Sequence, residues 1–158
     1  MKLLEGKNAL VTGASRGIGE AIARKFAENG ANVAFTYHSS DEKAQKLADE
    51  LSAMGVTAKA FKSDAGSFEA ADQLIKDVTS AFESIDVVVN NAGITKDNLL
   101  LRMDEGQWDA VIDTNLKSVF NVTKNVAMPM LRKRKGSIIN VTSIAVSYTH
   151  LRAHETSE

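Results

Sequence analysis

The 158-residue chain contains no cysteine, which excludes disulfides and thiolate metal sites and fits a reducing cytoplasm. It has no long apolar run either, its uninterrupted apolar stretches being only a few residues each. Spanning a bilayer takes ~20 such residues. The opening residues Met1-Lys2-Leu3-Leu4-Glu5-Gly6-Lys7 carry no apolar h-region, so a secretory leader is not expected. Neither sign of charge dominates. Lys and Arg number 19 against 20 Asp and Glu, for a formal net charge of -1, which gives no bulk attraction to nucleic acid or to an anionic membrane. No internal repeat, linker-like stretch or low-complexity tract interrupts the chain. A composition of 44% apolar and 25% charged residues is ordinary for one globular domain. The length buries a real core but is short for a complete α/β enzyme.

What is present is an alternation of two kinds of segment. Asn8-Ala9-Leu10-Val11-Thr12 is a short buried-strand pattern ending in glycine, and Ile18, Ala21, Ile22 and Phe26 then recur at helical spacing until Gly30. The cycle repeats with a strand at Asn32 to Thr36 and a helix from Asp41 to Met54, opened by Ser40 or Asp41 and closed by Gly55. A strand at Val56 to Phe61 and a helix at Phe68 to Phe82 follow. Ile85-Asp86-Val87-Val88-Val89 is a fourth strand suited to burial on both faces. A long helix is expected from about Glu105 to Leu131, kinked near Met128 by the sole proline, Pro129. A fifth strand covers Ser137 to Val141. Strands alternating with helices through short glycine-bearing loops argue for a parallel sheet.

The first strand runs into Gly13-Ala14-Ser15-Arg16-Gly17-Ile18-Gly19 and then a helix. Gly13 permits the turn out of the strand, Gly17 lets backbone approach a pyrophosphate, and Gly19 permits close packing. The helix N-terminus offers free N–H groups and a positive dipole end to phosphates. Strand-to-helix turns also use glycine for structural reasons alone, but the first βα turn of an α/β pattern is the context that a dinucleotide site requires.

Thr12-Gly13-x-x-x-Gly17-x-Gly19 resembles the glycine motif of the short-chain dehydrogenase/reductase family. Asn90-Asn91-Ala92-Gly93 after the fourth strand, Asn115 in the long helix and Ser143 past the fifth strand resemble further motifs of that family, in its order. The segment Asn90 to Met103, with Asn115-Leu116-Lys117-Ser118-Val119-Phe120, is similar to bacterial 3-oxoacyl-[acyl-carrier-protein] reductases. The resemblance implies a Rossmann-type, doubly wound parallel sheet with helices on both faces, about five of whose strands are in hand. It implies cofactor contacts from Gly13, Ala14, Ser15, Arg16, Gly17, Ile18, Gly19, His38, Ser39, Asp64, Ala65, Asn91, Ala92 and Gly93. It further implies NADPH-dependent reduction of a 3-oxoacyl thioester, with Ser143 hydrogen-bonding the substrate oxygen and Asn115 holding a water in a proton path.

An acidic side chain at the end of the second strand usually grips the ribose of NAD in this fold. Here Thr36-Tyr37-His38-Ser39-Ser40 supplies none before Asp41, and Arg16 is a charge-assisted partner for a 2′-phosphate. NADP(H) is therefore expected over NAD(H), the alternative being that Arg16, Ser39 and Ser40 are solvated loop and cap residues. Arg132-Lys133-Arg134-Lys135 is a basic cluster, expected near the mouth of the site, where the resemblance points to docking of the acidic acyl carrier protein at Arg134. Complementing the helix dipole is an equally good account of those cations.

The family's Tyr-x-x-x-Lys is missing. Tyr148-Thr149-His150-Leu151-Arg152 ends in arginine, which stays protonated, and Tyr148 lies too close to Ser143. Val146 to Thr156 resembles one translated frame of a transposase-type sequencing adaptor. Native sequence is accordingly expected over residues 1–145 and a non-native tail over 146–158, with His150 and His154 discounted as metal ligands. The chain as it stands is expected to be C-terminally truncated and inactive, and the homotetramer usual in the family is not expected of it. Two other readings stand beside the ketoreductase. One is a non-catalytic dinucleotide-binding sensor, and the other is a dehydrogenase acting on a sugar, steroid or small alcohol.

Overall fold

A computed structural model describes residues 2–143. Five parallel strands form one sheet in the order β3-β2-β1-β4-β5. They are β1 (Asn8–Val11), β2 (Asn32–Tyr37), β3 (Ala58–Lys62), β4 (Val87–Asn90) and β5 (Ser137–Asn140). The connecting helices are α1 (Gly17–Glu28), α2 (Asp41–Ser52), α3 (Phe68–Phe82), α4 (Glu105–Ile112) and α5 (Ser118–Lys133). The register matches Leu10 with Ala34 and Val88, and Val88 in turn with Ile138.

Strand periodicity sorts the core into two halves. Leu10, Ala34 and Val88 pack with Leu74, Val78, Val122 and Val126 beneath α3 and α5. Their neighbours Val11, Val33, Phe35 and Val89 pack with Ala23, Ala27, Leu47 and Leu51 beneath α1 and α2. Runs of consecutive apolar residues, Ala9 to Val11 in β1, Val33 to Phe35 in β2 and Val87 to Val89 in β4, are what a sheet covered on both faces needs. Fully burying side chains of this size stabilises by about 1.5–3 kcal/mol each.

Helix ends follow local chemistry. The Ser67 hydroxyl accepts from the Ala70 N–H at 3.1 Å, and Asp104 with Gln107 forms a reciprocal capping box on α4. Gly30 and Gly55 take positive φ just past α1 and α2.

The expected long helix is not one α-helix. It is interrupted by a π-helical segment, Asp113–Lys117, whereas α5 continues through Pro129 to Lys133. The change of hydrogen-bond pattern falls around Asn115, while the segment through Met128 and Pro129 stays helical. The third strand starts at Ala58, two residues later than expected, because Thr57 is held from the side by the Asn32 amide oxygen at 2.9 Å.

Chain direction places the site. From β1 the chain builds outward through β2 and β3, then returns to β4 on the other side of β1 and continues to β5. Loops leaving β1 and β4 therefore diverge at their C-terminal ends and open a crevice, the usual ligand position in an open α/β sheet.

Candidate active site

The crevice is a cleft of about 570 Å³ between the loop after β1, the loop after β4 and the ends of β2 and β3. Its floor is a latch between the first two loops. The Thr12 hydroxyl oxygen accepts from the N–H groups of Asn91 and Ala92, both at 3.0 Å. Asn91 Nδ2 donates to the carbonyls of Thr12 and Gly13 at 3.0 and 3.1 Å. So close an approach demands glycine. A Cβ on Gly13 would lie 2.8 Å from Ala92 Cα, and one on Gly19 would lie 2.5 Å from Asn91 Nδ2 and 2.6 Å from the Gly13 carbonyl oxygen. The expected role of Gly19 in close packing is met, with the partner being the latch itself. From the other side Thr36 steadies the glycine loop, its hydroxyl accepting from the Gly13 N–H and its carbonyl from the Ala14 N–H, both at 2.9 Å.

All but one of the residues expected to touch a cofactor line this cleft, from Gly13 to Gly19, His38, Ser39, Asp64, Ala65 and Asn91 to Gly93. The exception is Ala14, which is fully buried behind the wall. Sequence reasoning missed Thr36, Tyr37, Ser40, Ser63, Ile94 and Thr114, which complete the lining. Thr36 and Tyr37 are the last residues of β2 and Ser63 follows β3, and only the strand order reveals them at the crevice.

Electrostatically the cleft suits an anion. Arg16 caps α1 without any side-chain hydrogen bond to the helix, so the first N–H groups of α1 have no side-chain acceptor. The Arg16 guanidinium makes no ion pair among the described residues. The first carboxylate past β2 is turned aside. Asp41 pairs with Lys62 at 3.3 Å and does not line the cleft. Partial burial, and then the neighbouring Asp41 carboxylate, hold the Tyr37 hydroxyl above the usual phenol range.

Asn115 meets the loop after β4 through its side-chain amide. Its side chain accepts from the Ile94 N–H at 2.8 Å and donates to the Ile94 carbonyl at 2.9 Å. Both halves of the amide are thus committed to the loop after β4. The π-helical turn, with its extra residue, is what carries Asn115 at this point. Ser143 lies three residues past Asn140, which stands opposite Asn90 in the register. Tyr148, His150 and His154 lie outside the described residues. Among the described residues no group of three or more His, Asp or Glu side chains is arranged to hold a metal.

The basic run Arg132 to Lys135 is not where it was expected. It closes α5 just before β5 begins, with Lys135 near Asp86 at 3.8 Å and the Lys133 ammonium donating to the Glu83 carbonyl at 3.4 Å. Glu83 and Asp86 precede β4. A helix joining two parallel strands must run back to where strands start, so Arg134 sits at the edge of the sheet opposite the cleft.

The order of these motifs on this scaffold is matched by a family model described as short chain dehydrogenase, over residues 7–154. The chain belongs to the short-chain dehydrogenase family. Curated relatives of this short-chain dehydrogenase include the 3-oxoacyl-[acyl-carrier-protein] reductase FabG of Staphylococcus epidermidis, 55% identical over 138 residues, 87% of this chain and 57% of the relative. FabG of Vibrio cholerae is 48% identical over 141 residues, covering 89% of this chain and 56% of the relative. Among solved structures, a short chain dehydrogenase from Burkholderia cenocepacia in complex with NADP superimposes with a TM-score of 0.85 at 35% identity. That match covers 92% of this chain and 59% of the other. A metagenomic short-chain oxidoreductase in complex with NADP gives 0.84 at 38% identity, over 89% of this chain and 63% of the other. The short-chain dehydrogenase described here spans a little over half the length of the curated relatives it matches. No described helix is long and apolar enough to cross a membrane.

Proposed function

We propose that this chain carries the nucleotide-binding part of an NADPH-dependent 3-oxoacyl-[acyl-carrier-protein] reductase. The observation that carries the reading is the cleft at the strand-order switch, with no side-chain cap on the α1 N-terminus, an Arg16 that makes no ion pair among the described residues, and no carboxylate at the end of β2. Glycine backbone and the first N–H groups of α1 would hold the pyrophosphate. Arg16, His38 and Ser39 would surround a 2′-phosphate, with Asp41 kept away by Lys62. Asp64 and Ala65 would wall the adenine, and Asn91 to Gly93 would lie under the nicotinamide half.

The bound reduced nicotinamide supplies a hydride to a carbonyl carbon. Ser143 would donate a hydrogen bond to that carbonyl's oxygen and so favour the charge that develops there. Asn115 would hold the Ala92–Ile94 wall in place through its two hydrogen bonds to Ile94, besides any water it orders. The names of the curated relatives support the thioester of acyl carrier protein as substrate. Docking of that acidic partner at Arg134 would take place at the far edge of the sheet from this chain's own cleft. An Arg134→Glu change that left carrier-protein kinetics untouched in the complete enzyme would remove that part of the proposal.

This sequence has no Tyr-x-x-x-Lys, so binding without turnover is expected of it. We read residues 1–145 as the nucleotide-binding domain and 146–158 as a non-native tail. An adaptor-free sequencing read across the Ala145 codon tests that. Continuation into a Tyr-x-x-x-Lys helix supports the reductase, and a genuine stop after Glu158 favours a binding module without catalysis. Calorimetric titration tests the cleft. NADPH is expected to bind about tenfold or more tighter than NADH, as one charge-assisted contact allows. Equal affinities, or a preference for NADH, would sink the cofactor assignment.

A further inference from the structure

Helix α5 reaches the cleft without lining it. Its buried face carries Ser118, Asn121, Val122, Val126 and Met130, and among these Asn121 is an anomaly. Its exposure is 0%, and its Oδ1 is buried with no hydrogen-bond partner among the described residues. A half-satisfied amide at a position flanked by valine costs stability relative to an apolar side chain, so the half that is satisfied must matter.

That half is Nδ2, which donates to the carbonyls of Ala65 and Gly66 at 3.2 and 3.3 Å. These carbonyls belong to the turn between β3 and α3, where Asp64 and Ala65 form the cleft wall. The turn's remaining hydrogen bonds are local, from the Gly66 N–H to Asp64 Oδ1 at 2.9 Å and from the Ser67 N–H to the Asp64 carbonyl at 3.2 Å. Gly66 also rests on Asp113, where a Cβ would come within 3.4 Å of the Asp113 Cβ. Among the described residues, only Asn121 ties Ala65 and Gly66 by hydrogen bonds to the rest of the molecule.

We propose that Asn121 is a positioning residue, which fixes the Asp64–Gly66 turn and through it the wall for the adenine end of the nucleotide. The inference rests on reading the cleft as a dinucleotide site. It ties α5, a helix outside the cleft, to the affinity for one end of the ligand.

Asn121→Leu keeps most of the volume and removes the donor. In the 158-residue chain, amide exchange at Gly66 and Ser67 is expected to quicken about tenfold, the scale of one or two lost hydrogen bonds, while exchange in β1 stays unchanged. Affinity for adenosine 2′,5′-bisphosphate should fall about tenfold, with nicotinamide mononucleotide binding unaltered. Asn125→Leu is the control, because Asn125 donates only to the Asn121 carbonyl at 2.9 Å within the helix. It should leave both readouts at the wild-type level. Unchanged exchange in the turn, equal losses for the two half-ligands, or the same effects from Asn125→Leu would each overturn the proposal. If the wild-type chain binds neither half-ligand, the dinucleotide reading falls and takes the adenine wall with it, while the exchange comparison still decides the tether. Should Asn121→Leu fail to fold, Asn121→Ser carries the same comparison, since its short hydroxyl cannot span to both carbonyls.

Discussion

Gly19 has the least room of the glycines that line the cleft. The loops after β1 and β4 meet there through Asn91, whose amide already donates to two carbonyls of the glycine loop. A methyl group on Gly19 would stand 2.5 Å from that amide nitrogen and 2.6 Å from the Gly13 carbonyl oxygen, well inside contact distance. Backbone must shift, and an overpacked site of this kind costs about 1–3 kcal/mol. Gly19→Ala is therefore expected to lower the thermal midpoint and to weaken NADPH binding by at least about tenfold. A variant with wild-type melting and affinity would show that the latch does not shape the cleft. At this scale the sequence was readable where function needs a residue type. The glycines and the Asn91-Ala92-Gly93 run announced themselves, and the cleft is lined by them. Thr36 and Asn121 did not, because a threonine ending a strand and an asparagine within a helix carry no mark of the partner that another loop brings to them.

Elements show the same division. Each strand and helix up to β4 falls within two residues of its apolar period, because burial on a sheet or along a helix face repeats in the chain itself. The π-helical turn at Asp113–Lys117 has no such signature, as one extra residue in a turn changes no composition. Pro129, by contrast, is visible in the sequence and stands inside a segment that stays helical. Arg132 to Lys135 was misplaced for a different reason. The charge cluster was plain, but its distance from the cleft follows from chain direction across the sheet. Helix ends offer a separate test. Glu83 ends α3 at φ 62, a left-handed conformation that costs a non-glycine residue about 1 kcal/mol. The Glu83 side chain has no hydrogen bond or ion pair among the described residues, and its carbonyl, which accepts from Lys133, survives substitution. Glu83→Gly should accordingly raise stability by about 1 kcal/mol in a denaturant melt. Destabilisation would mean that the side chain contributes something the geometry does not show.

At the scale of the whole molecule, charge and apolar surface make different demands. Arg24 on α1 joins α2 by donating to Glu50, and also holds Glu20 at 2.8 Å. Hydrogen bonding to Arg24 keeps the Glu50 carboxyl below the usual carboxylate range, and the same bond raises Arg24 above its own. A carboxylate depressed by folding adds stability above its unfolded pKa and loses it as pH falls through the folded value. The loss therefore belongs below about pH 4.5, while the Arg24 contribution would be lost only in strong alkali. Melting midpoints of the wild-type chain should drop as pH falls from about 5 to 3, and Arg24→Gln should drop less over that range. Parallel slopes would rule the pair out as an acid-sensitive link.

Part of the exposed apolar surface forms a groove. Leu116 is 64% exposed and Phe120 59%, and both line a groove with Ile112, Ala127 and Ile138. Beside it β5 pairs only with β4 among the described residues, leaving its outer edge open. An open strand edge next to an apolar groove is a template for association with other chains. The core on the α1 and α2 face is independent of this surface, since its residues lie on the opposite side of the sheet. Charging the groove should consequently change association and leave folding alone. Light scattering of the wild-type chain is expected to show a mass that grows with concentration, and Phe120→Glu should hold the chain near 17 kDa with its thermal midpoint little altered. If Phe120→Glu instead lowers the midpoint steeply, Phe120 serves the fold through its contact with Phe68, whose ring centroid lies 6.3 Å away, and the groove is no independent surface.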